Sequence, residues 1–336
     1  MIPGTPLLRQ VPDWQTALGQ AITDPAELLE VLGLGPEWLP AARDAARAFP
    51  LRVPRGFVAR MRRSDPADPL LRQVLPLAEE CQAVEGYGAD PVGDLAAHKA
   101  PGVLHKYQGR VLLTATGACA IHCRYCFRRH FPYAEANASA EHWRAALDYV
   151  TLHPDVREVI LSGGDPLTLS DRRLAEFVRT IEDIPHVERL RLHTRLPVVL
   201  SERVTPELCA WLSGTRLKTV VVIHANHAQE LDAATRAACA RLADSGATLL
   251  NQSVLLRGVN DSVTSLAQLS EALFAAGVLP YYLHQLDRVQ GAAHFEVSDA
   301  TARTLLAGLN ACLPGYLVPR LVREVAGASG KTLLLS

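Results

Sequence analysis

Beyond about residue 108, apolar positions gather into short β-rich runs separated by stretches of helical period. Six such runs follow one another: RVLLTAT (110–116), EVILSGG (158–164), RLRLHTR (189–195), TVVVIHA (219–225), TLLNQSVLL (248–256) and LPYYLHQL (279–286). Most are nearly unbroken in apolar character, the pattern of parallel strands covered on both faces. In SDRRLAEFVRTI (170–181), Ser170 can cap a helix whose Leu174, Phe177, Val178 and Ile181 fall on one face. SDATARTLLAGLNACL (298–313) repeats the design with Ala302, Leu305, Leu306 and Leu309, and Gly246 and Gly277 sit where helices would end. Strand-then-helix units in series imply an α/β fold with a parallel sheet and right-handed crossovers. Six units predict a partial (βα)6 barrel; a doubly wound sheet is the alternative that periodicity leaves open.

The first 95 residues have a different texture. Short helical patterns, DWQTALGQAI, DPAELLEVLG and PEWLPAARDAARAF, are broken by proline and glycine, with Asp13, Asp24 and Pro36 at favoured helix starts. YGADPVGDLAAHKAPG (87–102) reads as a connecting segment. The expected organisation is an N-terminal helical region, 1–95, followed by the barrel and a C-terminal lysine segment, 96–336.

Composition narrows the class. A chain of 336 residues with 49% hydrophobic content can bury a large core, and its formal net charge of −1 argues against direct nucleic-acid binding. No apolar run approaches the ~20 residues of a membrane span, and MIPGTPLLRQVPDW lacks the form of a secretory signal. Scattered Cys81, Cys209, Cys239 and Cys312 suggest a reducing, cytoplasmic setting rather than a disulfide framework.

The unusual residues fall at the C-terminal ends of the predicted strands, the edge where α/β folds build sites. There stand GGDP (163–166), HTR (193–195), HANH (224–227), NQS (251–253), HQLD (284–287) and, foremost, CAIHCRYC (119–126). Cys119, Cys123 and Cys126 are spaced C-x3-C-x2-C with no fourth cysteine nearby. Three thiolates suit a cubane iron–sulfur cluster with one iron left open, a zinc site closed by His122 or His130, or redox thiols.

This motif, with Tyr125 before its last cysteine and GGDP one βα unit later, resembles the radical S-adenosylmethionine superfamily. The resemblance implies a [4Fe-4S] cluster on Cys119, Cys123 and Cys126 whose open iron binds S-adenosylmethionine, with Ser162, Gly163, Gly164 and Asp165 beside that cofactor. RVLL, CFRRH, SGGDPL, TRLPVVL, HANH, NQSVLLRGVND and a late lysine together are similar to the lysine 2,3-aminomutase family over roughly residues 95 to 331. That family adds pyridoxal 5′-phosphate held by a lysine near the chain end, here Lys331 in GASGKTLLLS. Without the resemblance, Lys331 would read as a solvated tail residue, although three leucines follow closely.

The resemblance also implies individual roles. Arg128 would pair with the substrate carboxylate, as a guanidinium fork suits. Arg110 and Lys106 would approach the cofactor phosphate, while His224, Asn226 and Gln252 would line the cofactor pocket. Asp287 and Glu324 would grip the ε-ammonium of lysine; Glu324 replaces an aspartate common in the catabolic branch. Chain extent past Lys331 and the run LDRVQGAAHF (286–295) resemble the branch that makes β-lysine for elongation factor P. The expected function is therefore an isomerase converting (S)-α-lysine to (R)-β-lysine, with a one-electron reductant and a functional link to the elongation factor P lysyl-ligase. A 2,3-aminomutase acting on another amino acid or in lysine catabolism, and a zinc-stapled α/β binding protein, are the competing readings.

Overall fold

The computed structural model describes residues 13–133 and 140–334, with side chains of 140–142 left out. Ten strands form one sheet in strict chain order: β1 (His98–Ala100), β2 (Val103–Tyr107), β3 (Arg110–Thr116), β4 (Glu158–Gly163), β5 (Arg189–Thr194), β6 (Lys218–Ile223), β7 (Thr248–Val254), β8 (Leu279–His284), β9 (Arg320–Arg323) and β10 (Thr332–Leu333). From β3 to β9 each strand pairs with the next in parallel; β1 and β2 at one edge and β10 at the other are antiparallel. A doubly wound sheet reverses its order at a switch point. This sheet never does, so it is an open barrel wall.

The six runs read from sequence are β3 to β8. Four further strands were not anticipated, because each has only two to five residues, too few to show a clear period. β9 adds a seventh parallel strand. The expectation of strands covered on both faces also needs correcting. Along β5 and β7, Leu190, Leu192, Leu249, Asn251 and Ser253 are buried, but Arg191, His193, Leu250, Gln252 and Val254 are only partly so. Alternate residues point to opposite faces of a strand, so one face packs on helices and the other lines a lumen with polar walls.

The helices form where their caps and apolar faces demand. The Arg173 amide donates to Ser170 Oγ, and helix Asp171–Glu182 buries Leu174, Phe177, Val178 and Ile181. Helix Asp299–Cys312 buries Ala302, Leu305 and Leu309. Asp13 and Asp24 cap their helices, and Pro36 opens a short 3-10 turn. Trp14, Leu28, Phe57 and Leu70 from the N-terminal region share one core with Val111, Leu161 and Leu190 of the sheet. The predicted connecting segment does more than connect: Gly88 exchanges backbone hydrogen bonds with Arg288 and Gln290 beyond β8. It thereby crosses from the N-terminal region to the C-terminal edge of the sheet. Among the described residues, no helix is long and apolar enough to cross a membrane.

Candidate active site

The loop after β3 carries Cys119, Cys123 and Cys126, all partly exposed and unpaired in disulfides. The turn after β4 is pressed onto it. The amides of Gly164 and Asp165 donate to Thr116 O (2.7 Å) and Ala118 O (2.8 Å). A Cβ on Gly163 would stand 2.5 Å from Thr116 O, and one on Gly164 2.2 Å from Ala118 O. Both glycines are therefore required by close backbone approach, and Gly163 also holds φ at +116°. Asp165 braces this turn. Its Oδ1 accepts from Leu167 N and Thr194 Oγ1, and its Oδ2 from Arg195 N and Leu196 N. Burial pushes its carboxyl up to about 6 against those donors.

Two buried networks hold the cysteine loop from behind. Arg124, fully buried, bonds both oxygens of Glu80, which also pairs with Arg129. Arg195 donates to Cys123 Sγ, Tyr125 Oη, Gln73 Oε1 and Glu230 Oε2. Asn226 belongs to this second network through Gln73 and Tyr125, with 2% of its surface exposed, so it stands behind the loop rather than lining the lumen as expected.

Each candidate fourth ligand has one ring nitrogen bonded to a backbone carbonyl. His122 gives Nδ1 to Pro50 O and stacks on Phe49; His130 gives Nε2 to Gln290 O. Among the described residues no three His, Cys, Asp or Glu side chains are grouped as ligands of a single metal ion. Three thiolates without a fourth ligand fit a cubane with one open iron and fit structural zinc poorly.

At the mouth of the lumen a chain of alternating charges runs from the cysteine loop to the tail. Arg128 Nε donates to Asp94 Oδ2 (2.6 Å), Lys106 Nζ bridges Asp94 Oδ1 (2.6 Å) and Glu324 Oε1 (2.8 Å), and Lys331 Nζ donates to Glu324 Oε2 (2.7 Å). Arg128 Nη1 reaches Ser162 Oγ at 3.4 Å, and among the described residues nothing bonds its Nη2. Lys106 also donates to Val92 O, so its ammonium has three protein acceptors. Burial alone would raise the Glu324 carboxyl, but Lys331 and Lys106 outweigh it and hold the group at about 2. Asp287 has no ion pair among the described residues; burial and the Glu324 charge push its carboxyl up to about 7.

Deeper in the lumen, the His224 ring meets the Gln252 amide at 2.6 Å. Burial keeps His193, His224 and His284 neutral, His224 down to about 3, and His193 Nε2 is a buried atom without a partner. Arg110 stacks on Tyr107 at 4.6 Å and forms no ion pair among the described residues.

The Radical SAM superfamily pattern matches residues 113–268. L-lysine 2,3-aminomutase of Escherichia coli strain K12 is 50% identical over 323 residues, 96% of this chain and 94% of that protein. The chain belongs to the lysine 2,3-aminomutase family of radical S-adenosylmethionine enzymes. The Haemophilus influenzae L-lysine 2,3-aminomutase is 47% identical over 99% of this chain and 98% of its own length. That of Clostridium subterminale is 35% identical over 95% of this chain and 77% of its own length. Family membership brings a [4Fe-4S] cluster, S-adenosylmethionine and isomerase chemistry, and removes the zinc-stapled binding protein from consideration. Sequence reasoning missed Asp94, Gln73, Glu80, Arg195 and Glu230 around this site. Only Arg195 carried a signal, as part of HTR at a strand end.

Proposed function

We propose that this enzyme interconverts (S)-α-lysine and (R)-β-lysine with pyridoxal phosphate carried on Lys331, and that the β-lysine serves modification of elongation factor P. The observation that carries the reading is the position of Lys331. Antiparallel pairing of Thr332 with Arg323 turns the tail back, and Lys331 Nζ lies 2.7 Å from Glu324 and 5.9 Å from the Tyr282 ring centre. The chain has four lysines; Lys99 and Lys218 are exposed and Lys106 is held by three acceptors. Lys331, with Glu324 as its single acceptor among the described residues, is the lysine left to carry an aldehyde cofactor inside the site. Arg110, without an ion pair among the described residues, suits its phosphate, and His193 Nε2, without a partner among them, and the His224–Gln252 pair offer polar contacts in the lumen.

When bound, pyridoxal phosphate supplies the carbon–nitrogen double bond through which an amino group can move, and the cluster with S-adenosylmethionine supplies the hydrogen abstraction that starts the rearrangement. The protein's own residues then orient the substrate. Arg128 offers Nη2 to the α-carboxylate while Asp94 fixes its fork. Asp287 and Glu324 face the ε-ammonium, so a substrate with an acidic tail would meet like charge. Arg124, Arg129 and Arg195 hold the cysteine loop, and residues 13–95 support it from behind through Gln73 and Glu80. The run LDRVQGAAHF (286–295), which resembles the elongation factor P branch, supports that assignment. A cytoplasmic setting and an external one-electron reductant complete the reading, in keeping with seven free cysteines.

Asp287→Asn tests the substrate assignment. Leaving a buried ammonium under-paired costs roughly 2–5 kcal/mol, about 30-fold or more in kcat/KM for lysine. Uncoupled reductive cleavage of S-adenosylmethionine should persist, because the cysteines lie at the other end of the charge chain. With its carboxyl raised to about 7, Asp287 gains charge as pH rises. The kcat/KM of the unmodified enzyme should therefore climb between about pH 6 and 8, and the Asn variant should lack that rise. Normal turnover of lysine by Asp287→Asn would remove the ammonium from this acid.

A further inference from the structure

We propose that Arg195 is a positioning residue for the iron–sulfur centre, donating an N–H to the Cys123 sulfur and thereby setting how readily the cluster accepts its electron. The inference rests on Cys123 being a cluster ligand. Arg195 Nη1 lies 2.7 Å from Cys123 Sγ and 2.8 Å from Tyr125 Oη. Its Nη2 turns away, to Gln73 Oε1 at 2.6 Å and Glu230 Oε2 at 3.0 Å. The planar fork thus has one end on the sulfur and the other clamped by an acid and an amide. With 6% of its surface exposed and Phe57 and Tyr125 rings beside the guanidinium, it is not screened by solvent.

The clamp is itself fixed. Glu230 Oε1 accepts from Asn226 N, His227 N and Gln73 Nε2, and the Arg195 backbone amide donates to Asp165 Oδ2. The turn that lies on the cysteine loop therefore also fixes the backbone of the residue whose side chain reaches Cys123. Arg124 and Arg129, by contrast, aim at Glu80 and backbone carbonyls rather than at a cysteine sulfur.

The sign of the effect follows from charge. Taking one electron from an external reductant adds one negative charge to the cluster and its thiolates. A cation and hydrogen-bond donor at a ligating sulfur stabilises that reduced form more than the oxidised one, as hydrogen bonds to cluster sulfurs do in general. Removing Arg195 must lower the potential.

The test is potentiometric titration of the anaerobically reconstituted protein, with the reduced cluster followed by electron paramagnetic resonance. Arg195→Gln should lower the reduced-to-oxidised ratio at a fixed potential about tenfold or more, 59 mV for a one-electron couple. Arg195→Lys, which keeps the charge and loses the fork, should fall between Gln and the unmodified protein. A purely structural role would reduce iron content and melting temperature while leaving the midpoint of the remaining clusters in place, and an unmoved midpoint in Arg195→Gln overturns the proposal. If Arg195→Gln holds no cluster, Arg195→Lys decides, and a midpoint equal to that of the unmodified protein overturns it. Unmodified protein that takes up no cluster would instead overturn the ligand assignment beneath it.

Discussion

Replacing Cys119, Cys123 or Cys126 singly by alanine should remove most of the bound iron and all 5′-deoxyadenosine formation. Each cysteine in a three-cysteine cubane holds a different iron, and no spare ligand group stands ready among the described residues. One ring nitrogen of His122 is taken by Pro50 O and one of His130 by Gln290 O, and among the described residues no three His, Cys, Asp or Glu side chains gather around a single ion. Cys81→Ala, Cys209→Ala and Cys312→Ala should leave iron content unchanged. Cys239→Ala should do the same at a stability cost of about 1 kcal/mol, since Cys239 is fully buried in the common core and acts there as a small hydrophobe. Iron and sulfide analysis after anaerobic reconstitution distinguishes these outcomes. Loss of the cluster in Cys312→Ala would reveal a fourth ligand and end the open-iron account.

Lys331→Ala should abolish mutase activity and retention of pyridoxal phosphate, with the visible spectrum of the cluster intact. The variant leaves Glu324 paired with Lys106 alone, so one buried carboxylate keeps a partner and the fold should survive. Borohydride reduction of the unmodified holoenzyme followed by peptide mapping should place the pyridoxyl group on the peptide containing Lys331. A label on Lys106 would contradict the assignment most sharply, because that ammonium is held by Asp94, Glu324 and the Val92 carbonyl. Lys331→Arg should be as inactive as the alanine variant, since a guanidinium keeps the pairing with Glu324 but is not a nucleophilic amine.

Legibility from sequence followed the range of the interactions involved. β3 to β8 and their helices declared themselves through β-rich runs of six or seven residues and through local caps such as Ser170. β9 and β10 did not, because four and two residues are too few to carry a periodicity. At the site, the cysteines and the glycine turn were legible as motifs, and the structure adds why the glycines are there: Thr116 and Ala118 leave no room for a Cβ. Asp94 was hidden in a segment that reads as a linker, yet it lies 2% exposed between Arg128 and Lys106. Gln73, Glu230 and Arg195 meet across separations of up to 157 residues. No local pattern encodes such a convergence; it exists only once the N-terminal helices dock on the barrel. The lumen was misread for a related reason. A strand with one face on helices and the other on a polar cavity looks, in apolar content alone, much like a strand buried on both sides.

Anaerobic incubation of reconstituted protein with L-lysine, S-adenosylmethionine, pyridoxal phosphate and a one-electron reductant tests the central claim most directly. Chromatography of the derivatised amino acids should show β-lysine accumulating to an equilibrium mixture with α-lysine, and omission of any one of the three cofactors and reductant should prevent it. Protein that holds its cluster and cleaves S-adenosylmethionine, yet forms no β-lysine from lysine, would contradict the account.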